Sequence, residues 1–207
     1  IRGEQESLGE IELENYCGIF IGGGPFNMSD PEDTKSYMQK RFEAEIMQLL
    51  DQVIDSDFPM LAACYGIGVV TAHQSGVVSR KFGEELGGID VVITPEGLED
   101  KILNGLSNPF KAFVGHKEAC EVLPARATLL ATYPDCPAQM FRIKNNVYVT
   151  QFHPELDSEG LEIRIKAYKH HGYFEPDEAE GLIAMGHRQN ITEPEKILRN
   201  FVKLYGE

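Results

Sequence analysis

Short apolar runs of strand length alternate with amphipathic stretches of helical length along this 207-residue chain. That alternation restricts the fold to the α/β class, because each helix has an apolar stripe to lay on a sheet whose strands need cover on both faces. Tyr16 to Ile21 reads as the first strand, closed by Gly22-Gly23-Gly24-Pro25. From Thr34 to Ile54, Phe42, Ile46, Leu49, Leu50 and Val53 recur at helical spacing, with Ser29, Asp30 and Pro31 as start signals. Pro59 to Ala63 is a second strand and Gly66 to His73 a helix.

Further along, Ile89 to Thr94 reads as a strand, Glu96 to Leu103 as a short helix and Phe110 to Val114 as another strand. Ala127 to Thr132, Ala138 to Ile143 and Val147 to Phe152 follow as strands, with Asn145-Asn146 as a hairpin turn. The expected sheet is open and mainly parallel, with a mixed edge and helices on both faces. Three helical patterns near 159–170, 176–187 and 193–205 make a helical C-terminal segment from about 156 to 207, in which Leu161, Ile165 and Tyr168 read as core. No repeat, low-complexity tract or linker divides the chain, so 1–207 is expected to be a single domain.

Composition narrows the partners. The hydrophobic fraction is 42% and the charged fraction 25%, both ordinary for a globular domain. A formal charge of −14 argues against duplex nucleic acid or an anionic membrane, which recruit basic faces. The weakly polar stretch Phe58 to Ala72 is too short and too interrupted by glycine to span a bilayer. Four cysteines, Cys17, Cys64, Cys120 and Cys136, have neither CxxC nor paired spacing, which reads as reduced thiols in a cytoplasmic protein. His170-His171 lacks a third ligand at helical spacing, so no metal and no cofactor are expected.

Three segments carry chemistry. Ala62-Ala63-Cys64-Tyr65-Gly66-Ile67-Gly68 runs an apolar strand straight into Cys64 and then into a helix, with small residues close by. That is the pattern of a nucleophile elbow, and a helix N-terminus behind the thiol favours the thiolate. The same residues also suit a buried core cysteine. Gln151-Phe152-His153-Pro154-Glu155 closes a strand, and in an extended segment His153 and Glu155 point the same way, so the carboxylate can orient the imidazole. The loop Gly22-Gly23-Gly24-Pro25-Phe26-Asn27 can aim backbone N–H groups at an oxyanion, although a plain tight turn fits it equally. It is not GxGxxG, so dinucleotide binding is not expected. Gly83 to Gly88 reads as a loop before the Ile89 strand, and Glu175 to Glu180 as a solvated helix start.

Together these segments resemble the class I glutamine amidotransferases, the Cys-His-Glu family, from about Tyr16 to Glu155. The overall pattern is most similar to the stand-alone proteins that resemble the amidotransferase domain of GMP synthetase. The resemblance implies a flavodoxin-like architecture and hydrolysis of the glutamine side-chain amide through a γ-glutamyl thioester, with ammonia passed to a separate synthetase. Carried over by residue, Cys64 is the nucleophile, His153 the acid and base, Glu155 its orienting partner, and the backbone N–H groups of Gly24 and Tyr65 hold the oxyanion. Gly23, Gly68, His116 and Gln151 fall at substrate-lining positions.

The chain departs from the family at four places. Ala62 replaces the usual Gly two residues before Cys64, and Gly68 replaces the Gln four residues after it. Gly115 stands where a Ser-His pair has its Ser. The family also begins with a strand that nothing before Ile11 supplies, so that strand is expected upstream of residue 1. Gly68 motivates a second reading, hydrolysis of another γ-glutamyl compound; a third is a non-catalytic binding or regulatory subunit of the same fold.

Overall fold

A computed structural model describes residues 6–169, 174–189 and 191–206. His170 and His171 lie outside the described residues. The elements run β1 (Ile19–Ile21), α1 (Tyr37–Ser56), β2 (Met60–Ala63), α2 (Tyr65–His73), β3 (Val77–Ser79), β4 (Glu84–Ile93), α3 (Pro95–Leu98), β5 (Phe110–His116), β6 (Ala119–Val122), β7 (Ala127–Thr132), β8 (Met140–Ile143), β9 (Val147–Thr150), α4 (Ser158–Tyr168), α5 (Ala179–Gln189) and α6 (Glu195–Tyr205).

Seven strands form one sheet in the order β1-β2-β9-β8-β7-β4-β5, and β3 pairs with β6 beside it. The mixed α/β sheet matches the class expected from the sequence. Its parallel part is confined to β1, β2 and β9, and the antiparallel region, expected at an edge, extends through β8, β7, β4 and β5. The Gly83–Gly88 stretch is a correction: from Glu84 onward it belongs to β4, because Gly87 and Gly88 pair with Val114 and Phe113 of β5. The short strands β3 and β6 had no counterpart in the sequence reading.

Alternation along the central strands distributes the core. Met60 and Ala62 of β2 and Val147 and Val149 of β9 face one layer, where they meet Leu50 and Val53 of α1 and Ile67 and Val70 of α2. Leu61 and Tyr148 face the other layer, with Ile197 and Phe201 of α6. Burying each such aliphatic side chain contributes roughly 1.5–3 kcal/mol, so both faces hold the sheet in place. A third cluster joins Phe113 to Leu161 and Ile165 of α4 and Ala179 of α5.

Helix α1 starts where Ser36 accepts a hydrogen bond from Gln39 N and ends at Asp57, which takes the left-handed conformation at φ 52°. Asp57 then accepts from the Asn145 and Asn146 amides and so fixes the expected β8–β9 turn. Helix α2 sits so close to β2 that a Cβ at Gly66 would approach Ala62 Cβ to 2.6 Å, which only glycine avoids. The parallel register pairs Ile21 with Ala62 and Ala63 with Thr150. The chain therefore leaves β1, β2 and β9 at the same rim, carrying Gly22, Cys64 and Gln151 there together.

Candidate active site

Cys64 occupies the single residue between β2 and α2, with φ 54° and ψ −99°. Its amide donates to Thr150 O at 2.8 Å, and its carbonyl accepts from Ile67 N at 3.1 Å, so the turn is held from both sides. A non-glycine residue at this positive φ is strained by about 1–3 kcal/mol, which the neighbouring strand and helix must offset. The side chain is thereby raised at the rim, with the first N–H groups of α2 behind it.

His153 is buried, and its backbone N–H donates to Phe113 O at 2.9 Å, which ties the segment after β9 to β5. Its Nδ1 lies 2.7 Å from Glu155 Oε1. The other ring nitrogen, Nε2, is buried without a conventional hydrogen-bond partner and is left to serve the Cys64 thiol, with which the ring interacts. Glu155 follows after Pro154 and projects back to the ring, as the His-x-Glu spacing anticipated.

Electrostatics link the three groups. Burial alone would raise the Cys64 thiol, but the charge and hydrogen bond of His153, together with Arg164, bring it below the ordinary thiol value. Burial would likewise lower His153, yet Cys64 and Glu155 push it up to about 9. Burial would raise Glu155, and the His153 hydrogen bond and charge pull it below the usual carboxylate range. The arrangement favours a thiolate beside an imidazolium at neutral pH.

Gly23, Gly24 and Tyr65 surround this pair. A Cβ at Gly23 would lie 2.9 Å from His153 Cε1, 3.1 Å from Arg164 Nη2 and 3.4 Å from Cys64 Cβ, so the loop backbone runs directly over the reacting atoms. Gly24 lies against the Tyr65 ring, and Gly24, Cys64, Tyr65, Gln151 and His116 line one small cleft. Gly68 looks onto a different neighbour. A Cβ there would meet Glu118 Oε1 at 2.9 Å, and the Glu118 carboxylate accepts from the Met28 and Ser29 amides at 2.7 and 2.8 Å.

His116 borders the cleft with both ring nitrogens engaged. Nδ1 lies 2.9 Å from Glu118 O, and Nε2 lies 2.8 Å from the Glu84 carboxylate, which also accepts from Gln139 Nε2 at 2.6 Å. Cys136 stands beside them, its thiol pushed up by burial and by Glu84. Glu84, His116 and Cys136 bring three donor atoms within 4.8 Å of one another. Gln151 is buried with its backbone N–H donating to Gln139 O, which joins the cleft to this network.

Arg164 of α4 was not anticipated. Its Nη1 lies 3.2 Å from His153 Nδ1 and 3.8 Å from Glu155 Oε1, and its guanidinium stacks at 5.5 Å over the Tyr168 ring. The only sequence signal was an arginine four residues before a tyrosine on a helix already assigned to the core. Glu84 was hidden for a similar reason, since it lies in the stretch read as a loop.

A strained cysteine between a parallel strand and a helix is thus opposed by a His-Glu pair that follows the neighbouring parallel strand. The family model for "Glutamine amidotransferase class-I" matches residues 2–165, and the chain belongs to that family. It is 32% identical over 158 residues to "GMP synthase [glutamine-hydrolyzing]" of Alkaliphilus metalliredigens, covering 74% of this chain and 28% of that protein. The enzyme of the same name from Borrelia garinii is 25% identical over 149 residues, covering 72% of this chain and 25% of that protein. The chain thus spans about a quarter of the length of these curated relatives. Among solved structures, a glutamine amidotransferase from Thermotoga maritima superposes with a TM-score of 0.79 at 23% identity, covering 99% of this chain and 84% of that one. A glutamine amidotransferase from Methylobacillus flagellatus gives 0.70 at 17% identity, covering 95% and 77%. Both likenesses establish the fold. No helix among the described residues is long and apolar enough to cross a membrane.

Proposed function

We propose that this chain hydrolyses the side-chain amide of glutamine at Cys64 and passes the ammonia to a separate synthetase in the cytoplasm. The observation that carries the reading is the Cys64 thiol held on a strained turn beside the buried His153–Glu155 pair. The Cys64 thiolate attacks the amide carbon, and the carbonyl π electrons move to oxygen. Backbone N–H groups of Gly24 and Tyr65 hold the resulting oxyanion; losing one such donor typically costs roughly 3 kcal/mol of barrier. As the C–N bond breaks, the imidazolium of His153 gives its Nε2 proton to the departing ammonia and leaves a γ-glutamyl thioester.

Acylation removes the thiolate charge that helps hold His153 protonated. The ring then takes a proton from water, the hydroxide attacks the thioester carbon, and glutamate leaves as Cys64 is regenerated. Glu155 keeps the Nδ1 proton in place throughout, so Nε2 alone exchanges protons. Gly23 leaves room for the ring, while His116 and Gln151 shape the cleft wall.

A second reading has its own support. Glu118 and Met28 take the space beside Gly68, where the family carries a glutamine, and Glu118, whose carboxylate accepts from the Met28 and Ser29 amides, also lines the cleft. A γ-glutamyl compound whose amino end bonds that carboxylate is the competing substrate. Ammonia release from glutamine, compared with amine release from a panel of γ-glutamyl amides, separates the two. Preference for glutamine supports the first reading, and turnover confined to the substituted amides replaces it with the second.

A further inference from the structure

We propose that Arg164 is a positioning residue of this site: its guanidinium holds the Glu155 carboxylate on His153 and places a second positive charge beside the Cys64–His153 pair. Helix α4 begins three residues after Glu155, where Asp157 caps it by accepting from Gly160 N at 2.7 Å. The helix then carries Arg164 back over the loop it follows. The guanidinium is fixed on two sides, by the Tyr168 ring beneath it and by the Gly23 backbone beside Nη2. It faces Glu155, whose side chain is 38% exposed and is held on its other side by His153 Nδ1.

The charged groups around the Cys64 sulfur are His153, Arg164 and Glu155. Glu155 works against the thiolate, and Arg164 offsets it, so the triad can keep its orienting carboxylate without losing the ionised sulfur. The geometry also creates a competition. Nδ1 of His153 cannot donate to Glu155 at 2.7 Å and accept from Arg164 at 3.2 Å at once. With Glu155 present, the shorter contact to an opposite charge places the proton on Nδ1. Without it, the guanidinium claims the Nδ1 lone pair and the ring carries its proton on Nε2, where it cannot take the thiol proton.

The inference rests on the pairing of Cys64 with His153 proposed above, and its test needs no glutamine. Iodoacetamide alkylation of Cys64 is followed against pH in a Cys17→Ser background, since Cys17 is an exposed thiol, with folding of each variant checked by thermal melting. Arg164→Gln is expected to move the alkylation midpoint up by about one pH unit, or about tenfold slower alkylation below it, while Arg164→Lys stays near the parent. Glu155→Ala is expected to slow alkylation more in the Arg164 parent than in the Arg164→Gln background. An unmoved midpoint in Arg164→Gln, or a lysine variant displaced as far as the glutamine variant, overturns the assignment. If Arg164→Gln does not fold, Arg164→Met, which keeps an unbranched stem over the Tyr168 ring and removes the charge, is read by the same criteria. A shifted profile in a protein that leaves glutamine intact removes the proposed substrate and leaves this role standing.

Discussion

His153 Nδ1 lies 2.7 Å from Glu155 Oε1, joining an imidazole side chain that is 3% exposed to a carboxylate side chain that is 38% exposed. The buried ring is thus oriented by a group that water also reaches, and only the ring is locked by packing. The packing around the ring is therefore expected to hold it in place when the carboxylate is changed.

Glu155→Gln therefore keeps the shape of the contact and removes its charge. Turnover of glutamine is expected to fall about 10²-fold, within the usual range for acid–base assistance, with thermal stability little changed. Steady-state kinetics and a melting curve check this. A variant with undiminished turnover would contradict the orienting role.

The pH dependence follows from His153, held up at about 9 against an ordinary 6.5. A group raised on folding contributes stability that is complete below its unfolded value and is lost as pH rises through its folded value. The Cys64 thiol, held below its ordinary value by the same pairing, contributes with the opposite sign over an overlapping range, so the melting temperature should change little from about pH 7 and decline as pH rises through about 9. Turnover should lose its alkaline limb near the same upper value, as the imidazolium that protonates ammonia disappears. In Cys64→Ser the thiolate that raises His153 is gone, so the alkaline decline in stability should shrink. Scans of melting temperature against pH on both proteins measure the difference.

Gly23 offers a steric test. A methyl group there would lie 2.9 Å from His153 Cε1 and 3.1 Å from Arg164 Nη2. Gly23→Ala should cost at least tenfold in kcat with a modest change in unfolding free energy, because the loop can yield where the catalytic geometry cannot. Kinetics and urea unfolding on the same preparation separate the two effects.

The conformation of Cys64, φ 54° and ψ −99°, is one that glycine adopts more easily. Cys64→Gly should therefore be more stable than Cys64→Ala by about 1 kcal/mol, although both are inactive. Urea denaturation of the pair gives the number, and equal stability would mean that the turn stores no strain.

These sites differ in how openly the sequence displayed them. Cys64, Tyr65, His153 and Glu155 were legible because each depends on local order: an apolar run, a turn, then a helix or a two-residue spacing. Gly24 was legible as part of a glycine run after a strand. Arg164 was not, since its partners precede it by nine and eleven residues across a loop and two turns of α4. Glu84 was missed because Gly83, Gly87 and Gly88 imitate a loop, while the pairing with β5 that makes the stretch a strand comes from residues near 114. The extent of the antiparallel region escaped for the same reason. Apolar alternation marks a strand but does not name its neighbour, so β7 and β4 could not be placed side by side from their own residues.

The most direct measurement is the joint release of ammonia and glutamate from glutamine by the purified chain, alone and with candidate synthetases, beside Cys64→Ser and a glutamine-analogue electrophile. Hydrolysis at Cys64 requires equal amounts of the two products, none from Cys64→Ser, and covalent label on the Cys64 peptide that glutamine protects. Product formation that survives Cys64→Ser, or a Cys64 that stays unlabelled while ammonia is released, would contradict it.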